Sequence, residues 1–422
     1  MNWQEKDKAN IWHPFTHQKH APDEVVIDYA KGLYFYDEQG NAYMDAIASW
    51  WVNLHGHAHP YISGKVSAQL HTLEHAIFSG FTHKPAIELA ERLLNHLPEN
   101  QSKIFYSDNG STAVEVALKM VFQYWHNQKS SRSLFVAFEG AYHGDTFGGM
   151  SVGARNVFNQ AFENHLFHVA HIPLPTRENI EQIKAVLSDW LHHHDVAGFI
   201  FEPLIQGAGG MVMYDTELLD ELIGFCRQHQ IITIADEVMT GFGRTGKFFA
   251  SDYLNNKPDI LCLSKGLTGG YMPLGVTSCA QFIYDAYVSN DKTKTFFHGH
   301  SYTANPTACS AALASLDLME SEETFVQIEM IRTKHLMFAE QIKSHPACKD
   351  VRTLGVVLAV ELQSEDVTHY LNQAGESVAS FFLKRGIILR PLGNVFYILP
   401  PYCITEQELD LIYSAIRDFL AA

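Results

Sequence analysis

Two apolar runs of this chain end on residues that a buried strand does not tolerate without a reason. DILCLSKGLTGG (259–270) closes on Lys265, and IITIADEV (231–238) closes on Asp236, 29 positions earlier (265 − 236). A charge in such a place must be paired, give up or take a proton, or face a ligand. On these two residues alone a buried ion pair and a ligand site are equally good readings. Two other run ends add parts. After KIFYS comes Asp108-Asn109-Gly110-Ser111-Thr112, a helix start whose free N–H groups and small hydroxyls suit a phosphate. After LFVAF comes Ala141-Tyr142-His143-Gly144-Asp145, which brings an aromatic ring and a glycine to the same edge. Singly, the first is a common helix cap and the second a turn.

Together the four supply a phosphate cradle, a flat stacking partner, a carboxylate and an amine. Those are the requirements of pyridoxal 5'-phosphate: Lys265 for a Schiff base, Asp236 to keep the ring nitrogen protonated, Tyr142 against the ring, and Gly110 and Ser111 for the phosphate. A rival motif is Gly241-Phe242-Gly243-Arg244-Thr245-Gly246-Lys247, the first seven positions of a phosphate loop, but Phe248 stands where the magnesium-binding hydroxyl belongs. It reads better as a tight active-site loop. His55, His57 and His59 alternate without carboxylate or cysteine neighbours, and His192-His193-His194 reads as a solvated loop, so no metal site is expected.

The elements that must position these residues are legible in outline. From about 100 to 280, KIFYS, LFVAF, VAGFIFEP, IITIADEV, DILCLS and GVTSCA alternate with helical patterns, which predicts a mostly parallel sheet covered on both faces, with ligands outside the strand C-termini. Val114, Leu118, Val121 and Trp125 mark one face of the helix after the first strand. Helices are expected over 325–343 and 405–420, the second opened by Thr405-Glu406-Gln407-Glu408. VVLAVEL and IILRPLGNVFYILPPY then read as a smaller α+β domain that the strand-like LYFYDEQGNAYMDA joins. If Gly393-Asn394 is a two-residue hairpin loop, residue 392 pairs with 395, 391 with 396, and Arg390 with Tyr397 on one face.

Composition narrows the partners. The 422 residues carry 30 Lys+Arg against 47 Asp+Glu, a net charge of −17 with no basic stripe, so neither nucleic acid nor an anionic membrane is an expected partner. Six scattered cysteines without C-x-x-C spacing, and a polar N-terminus MNWQEKDKANIWHPF, point to a cytoplasmic protein with free thiols.

IADEVMTGFGRTGKFFA, PDILCLSKGLTGG and FHGHSYTANPTAC resemble the class III, fold type I aminotransferases. IWHPFT, SWWVNLHGHAHP, YSDNGSTAVEVALKM, AYHGDTFGGMSV, EPLIQGAGGM and LRPLGNVFYILPPY are similar to the branch that aminates 8-amino-7-oxononanoate to 7,8-diaminononanoate in biotin biosynthesis, over nearly the whole chain. The resemblance implies an α/β fold. A large cofactor domain (49–320) with a mostly parallel seven-stranded sheet would join a smaller α+β domain made from 1–48 and 321–422. It also implies that Lys265 serves as base and acid of the 1,3-proton shift. Ser301 would join Gly110 and Ser111 at the phosphate across a homodimer interface, with Gln206 and Asp145 one layer out. The implied substrate residues are Phe15, Trp50, Tyr142, Lys265, Gly299, Arg390 and Tyr397, with Arg390 on the acceptor carboxylate.

Two departures concern the amine donor. Phe15 stands where known members carry tyrosine, and His300-Ser301 replaces the usual Pro-Thr. Most members use S-adenosylmethionine, and a branch resembling the His-Ser pattern uses lysine. Three rival readings are an ω-amino-acid or diamine aminotransferase of the same class, a nucleotidase built on 241–247, and a cofactor-binding protein without turnover. Trp50-Trp51 and Arg390 argue against the first.

Overall fold

The runs that end on Asp236 and Lys265 are neighbouring parallel strands, with Asp236 in register with Cys262. The computed structural model describes residues 2–193, 195–364 and 374–422. Its main sheet has seven strands: β1 (Gln101–Ser107), β2 (Leu134–Phe138), β3 (Val169–Ile172), β4 (Val196–Phe201), β5 (Ile232–Asp236), β6 (Ile260–Leu263) and β7 (Gly275–Ala280). Their order is β1-β7-β6-β5-β4-β2-β3, and β7 alone runs against its neighbours. Every residue of β4, β5, β6 and β7 is buried, as continuous apolar runs covered on both faces must be. The strand the apolar runs do not announce is β3, four residues with His171 inside.

The C-termini of β1, β2, β4, β5 and β6 therefore share one edge. Helix α1 (Gly110–Asn127) leaves β1 there. Asn109 caps it reciprocally: its side chain accepts from the Thr112 N–H at 2.9 Å, and the Thr112 hydroxyl accepts from the Asn109 N–H at 3.0 Å. Val114, Leu118, Val121 and Trp125 are buried against the sheet, and the Trp125 indole N–H donates to the Ala197 carbonyl at 2.9 Å.

A four-stranded sheet joins Ile27–Lys31, Tyr34–Asp37 and Ala42–Asp45 to Ile387–Ile388 from the other end of the chain. A three-stranded antiparallel sheet, Cys348–Leu354, Val357–Leu362 and Val395–Ile398, packs under α2 (Glu322–Ile342) and α3 (Glu406–Ala421), the latter opened by the expected Thr405/Glu408 capping box.

The hairpin expectation at 390–397 needs correction. Only Leu392 and Val395 pair, around Gly393 at φ 64°. Ile387–Ile388 run parallel to Met44–Asp45, while Val395–Ile398 pair with Val357–Leu362, so the two arms lie in different sheets. His192 and His193 end the helix Ile180–His193 instead of forming a loop, and His194 lies outside the described residues. Among the described residues no helix is long and apolar enough to cross a membrane.

Candidate active site

A cavity of about 550 Å³ opens at the shared strand edge and takes walls from both ends of the chain. Its floor is the main sheet. The carboxylate of Asp236, at the end of β5, accepts from His143 Nδ1 at 2.8 Å and from the Val238 N–H at 3.1 Å. His143 is fully buried, and its Nε2 has no partner among the described residues. Asp236 is therefore braced by His143 and not by Lys265, which removes the plain ion-pair reading of those two strand ends.

Lys265 follows β6 at φ 38°, a left-handed conformation unusual for a residue with a side chain. Burial pushes its amine down to about 8, Asp236 and Glu202 pull it back up, and Arg244 adds to the fall. Neutral amine is thereby accessible near neutral pH. Its Nζ stands 4.3 Å from the centroid of the Trp51 ring.

Glu202, at the end of β4, is buried in the same floor. It accepts from the Tyr142 N–H at 3.1 Å and the Gly207 N–H at 2.9 Å, tying together the loops after β2 and β4. Burial pushes its carboxyl up to about 7, with His143 lowering and Asp236 raising it. Tyr142 presents its ring to the cavity, and burial together with nearby Asp145 pushes its phenol above the ordinary range. Gly110 and Ser111 close the floor at the start of α1. Asn109 takes the Thr112 amide, so the first two helical amides are the ones left to a ligand. A Cβ at Gly110 would lie 2.7 Å from Val238 Cγ1, so a side chain there would force Val238 to shift. An amine, a braced carboxylate, an aromatic face and a helix N-terminus on one cavity fit pyridoxal phosphate by chemistry and by room.

The outer wall is aromatic. Phe15 and Trp50 are half-exposed, their rings edge to face at 5.6 Å, and Phe158 lies 5.9 Å from Phe15. The Arg390 guanidinium lies 4.3 Å from the Trp50 ring centroid and 5.8 Å from that of Phe15. Such stacking holds the planar group in place. Tyr397 comes from Val395–Ile398, and its hydroxyl accepts from the Trp51 indole N–H at 2.8 Å.

Phe15, Trp50, Gly110, Ser111, Tyr142, Asp236, Lys265, Arg390 and Tyr397 all line this one cavity. Arg390 and Tyr397 meet there although they do not pair. Gly299 and Ser301 do not line it and sit exposed on a separate loop. The stretch 241–247 is not in the lining, which corrects its reading as an active-site loop. Arg244 is buried behind the wall and donates to the carbonyls of Pro400 (2.9 Å), Trp51 (3.2 Å) and Asn53 (3.1 Å). Gln206 likewise stays behind, donating to the Glu139 carbonyl at 2.8 Å, whereas Asp145 reaches the lining. His55 bonds Ser315 at 3.0 Å and His57 bonds Asp45 at 2.9 Å.

Sequence reasoning passed over Glu202 and Phe158 as site residues and gave His143 and Trp51 no role of their own. Glu202 carried the same signal as Asp236, a carboxylate closing the run VAGFIFEP. For His143 no signal existed, since the direction of its ring is set by the turn.

An aminotransferase class-III family model matches residues 15–420. Over 419 residues the chain is 48% identical to the adenosylmethionine-8-amino-7-oxononanoate aminotransferase of Synechococcus elongatus, covering 97% of this chain and 98% of the relative. It is 40% identical over 437 residues to the protein of that name in Geobacter sulfurreducens, with 97% and 95% covered. Among solved structures, an adenosylmethionine-8-amino-7-oxononanoate aminotransferase from Methanocaldococcus jannaschii matches with TM-score 0.93 at 36% identity over 98% of each chain. A PLP-bound amine transaminase from an uncultivated Pseudomonas species matches with TM-score 0.90 at 31% identity, also over 98% of each.

Proposed function

The chain belongs to the class-III aminotransferases, which depend on pyridoxal phosphate, and from that premise we propose that it converts 8-amino-7-oxononanoate to 7,8-diaminononanoate with S-adenosylmethionine as amino donor. The observation that carries this reading is the two-ended cavity, with Lys265 and Asp236 on its floor and Arg390 stacked on Trp50 at its mouth. A substrate with a reacting group at one end and a carboxylate at the other fits that spacing of charges.

Bound pyridoxal phosphate supplies a carbonyl that takes up amines and a ring that withdraws electrons. Lys265 would hold the cofactor through its buried amine and would be the base and acid within reach of the donor carbon. Asp236, steadied by His143, would keep a proton on the cofactor's ring nitrogen. Tyr142 would cover the ring, Gly110 and Ser111 would hold the phosphate, and Glu202 fixes the Tyr142 backbone. Arg390 pairs with the acceptor carboxylate, while Phe15, Trp50 and Tyr397 enclose its chain and exclude water.

We assign Gly299 and Ser301 to the site of a second copy in a homodimer. Ile77, Phe81, Phe297 and Tyr302 are all exposed, and the Tyr302 ring lies 5.3 Å from that of His75 at a tilt of 51°, so the loops 74–81 and 296–303 offer one apolar face beside them. Sedimentation velocity should report a dimer, and a monomer with full activity would remove this assignment. Cytoplasmic residence is the reading that six free thiols support.

Donor competition tests the whole. With 8-amino-7-oxononanoate as acceptor, S-adenosylmethionine should sustain product formation. Lysine is the second reading, favoured by His300-Ser301 and by the missing Phe15 hydroxyl. Amination by neither donor would sink the proposal.

A further inference from the structure

Trp50 and Trp51 are adjacent in sequence and serve opposite ends of the cavity. Trp50 is half-exposed beneath Arg390, whereas Trp51 is buried beneath Lys265. The backbone that separates them is strained: Ala48 (φ 52°), Ser49 (φ 60°) and Trp51 (φ 65°) are three non-glycine residues in the left-handed region within four positions. Such conformations persist only where the surroundings enforce them. Here they do. Asp45 accepts from the Ser49 N–H at 2.6 Å and from its hydroxyl at 3.1 Å. Arg244 donates to the Trp51 carbonyl at 3.2 Å, and the indole N–H donates to the Tyr397 hydroxyl at 2.8 Å.

We propose that Trp51 is a positioning residue for Lys265: its ring face holds the free, protonated amine in one place, and its bond to Tyr397 ties that place to the strand forming the substrate wall. This rests on the role proposed for Lys265. An aromatic face attracts an ammonium and not a neutral amine. Trp51 therefore works with the Asp236 and Glu202 carboxylates to favour the charged form, against burial and the Arg244 guanidinium. The amine is parked on the ring when charged and released from it when it loses its proton, which confines its travel to one path. The left-handed turn is what turns the second indole inward while leaving the first at the mouth.

The test compares Trp51→Phe, Trp51→Leu and Tyr397→Phe as full-length proteins, with thermal melts as the check on folding. In cofactor-free protein, the rate at which pyridoxal phosphate develops its visible band is followed against pH, which reports the neutral amine. Removing the ring in Trp51→Leu should lower the midpoint by on the order of half a unit or more, while Trp51→Phe, which keeps a face, should move it less. In the loaded enzyme Trp51→Leu should lower kcat about tenfold with KM for both substrates within about threefold. Tyr397→Phe, which frees the ring edge, should move the midpoint in the same direction. A folded Trp51→Leu with parental midpoint and kcat overturns the proposal. Should that variant not fold, an unmoved midpoint in both Trp51→Phe and Tyr397→Phe overturns it. If Lys265→Ala leaves the visible band intact, the functional reading itself fails, an outcome distinct from both.

Discussion

The floor and the mouth of the cavity are built on different principles. Floor residues stand at the ends of β1, β2, β4, β5 and β6, or in the few residues that follow, and β4, β5 and β6 are buried from end to end. Their polar atoms are braced by short bonds such as His143 to Asp236 and Tyr142 to Glu202. Mouth residues come from places that no single element joins: Phe15 near the N-terminus at φ 51°, Trp50 on a strained turn, Arg390 and Tyr397 on arms of two different sheets. Phe15 and Trp50 are 46% and 40% exposed, against 5% and 6% for Asp236 and Glu202 on the floor. On the proposed function, the braced floor would fix the chemistry and the composite mouth would select what enters.

That contrast predicts a division of mutational effects. Lys265→Ala at the floor should abolish the visible band of the loaded protein and lower turnover by about 10⁴-fold or more, since both the amine and the proton carrier are lost. Asp236→Asn should lower kcat by roughly 10²–10³-fold while the acceptor KM stays within about threefold, because a charge matched to the reacting ring is lost and no substrate contact is. At the mouth, Arg390→Ala should leave the cofactor spectrum unchanged and raise the acceptor KM by about 30- to 100-fold, the worth of a charge-assisted pair. An acceptor KM equal to the parent's would detach Arg390 from the substrate and break the comparison.

Glu202→Gln sharpens it through stability. Its carboxyl is raised to about 7 in the folded protein, so the folded chain holds more protons than the unfolded one between the ordinary carboxyl range and that value. Stability from this group is then present at low pH and lost as pH rises toward 7. Denaturant melts of the cofactor-free protein should show the parent losing roughly 2 kcal/mol relative to the glutamine variant between pH 5 and 7.5. A pH-independent difference would mean that Glu202 is not desolvated. The smallest change is expected for Phe15→Tyr, which adds a hydroxyl at an exposed rim. Donor KM should shift by about threefold and kcat by less, as steady-state kinetics with each donor would report.

Much of the floor was legible because its residues are tied to local patterns. An apolar run of strand length that closes on a charge places that charge at a strand end, and a Gly-Ser start after a strand places free amides beside it. The same pattern named Glu202, which was read as strand and not as site. The mouth was legible only through likeness to relatives. The hairpin register joined Arg390 to Tyr397 by a pairing that does not form; both line the cavity, Tyr397 from Val395–Ile398 and Arg390 from the segment that follows Ile387–Ile388.

From the sequence alone came the parallel sheet, the edge on which chemistry must occur, and the residue types set there, because strand period and burial are properties of neighbours in the chain. Only the tertiary structure decided which carboxylate His143 braces, that Arg244 stands behind the wall, and that Trp51 lies between Lys265 and Tyr397. Those contacts join residues as far apart as 346 positions. Their existence depends on how sheets and loops pack against one another, which no local spacing encodes.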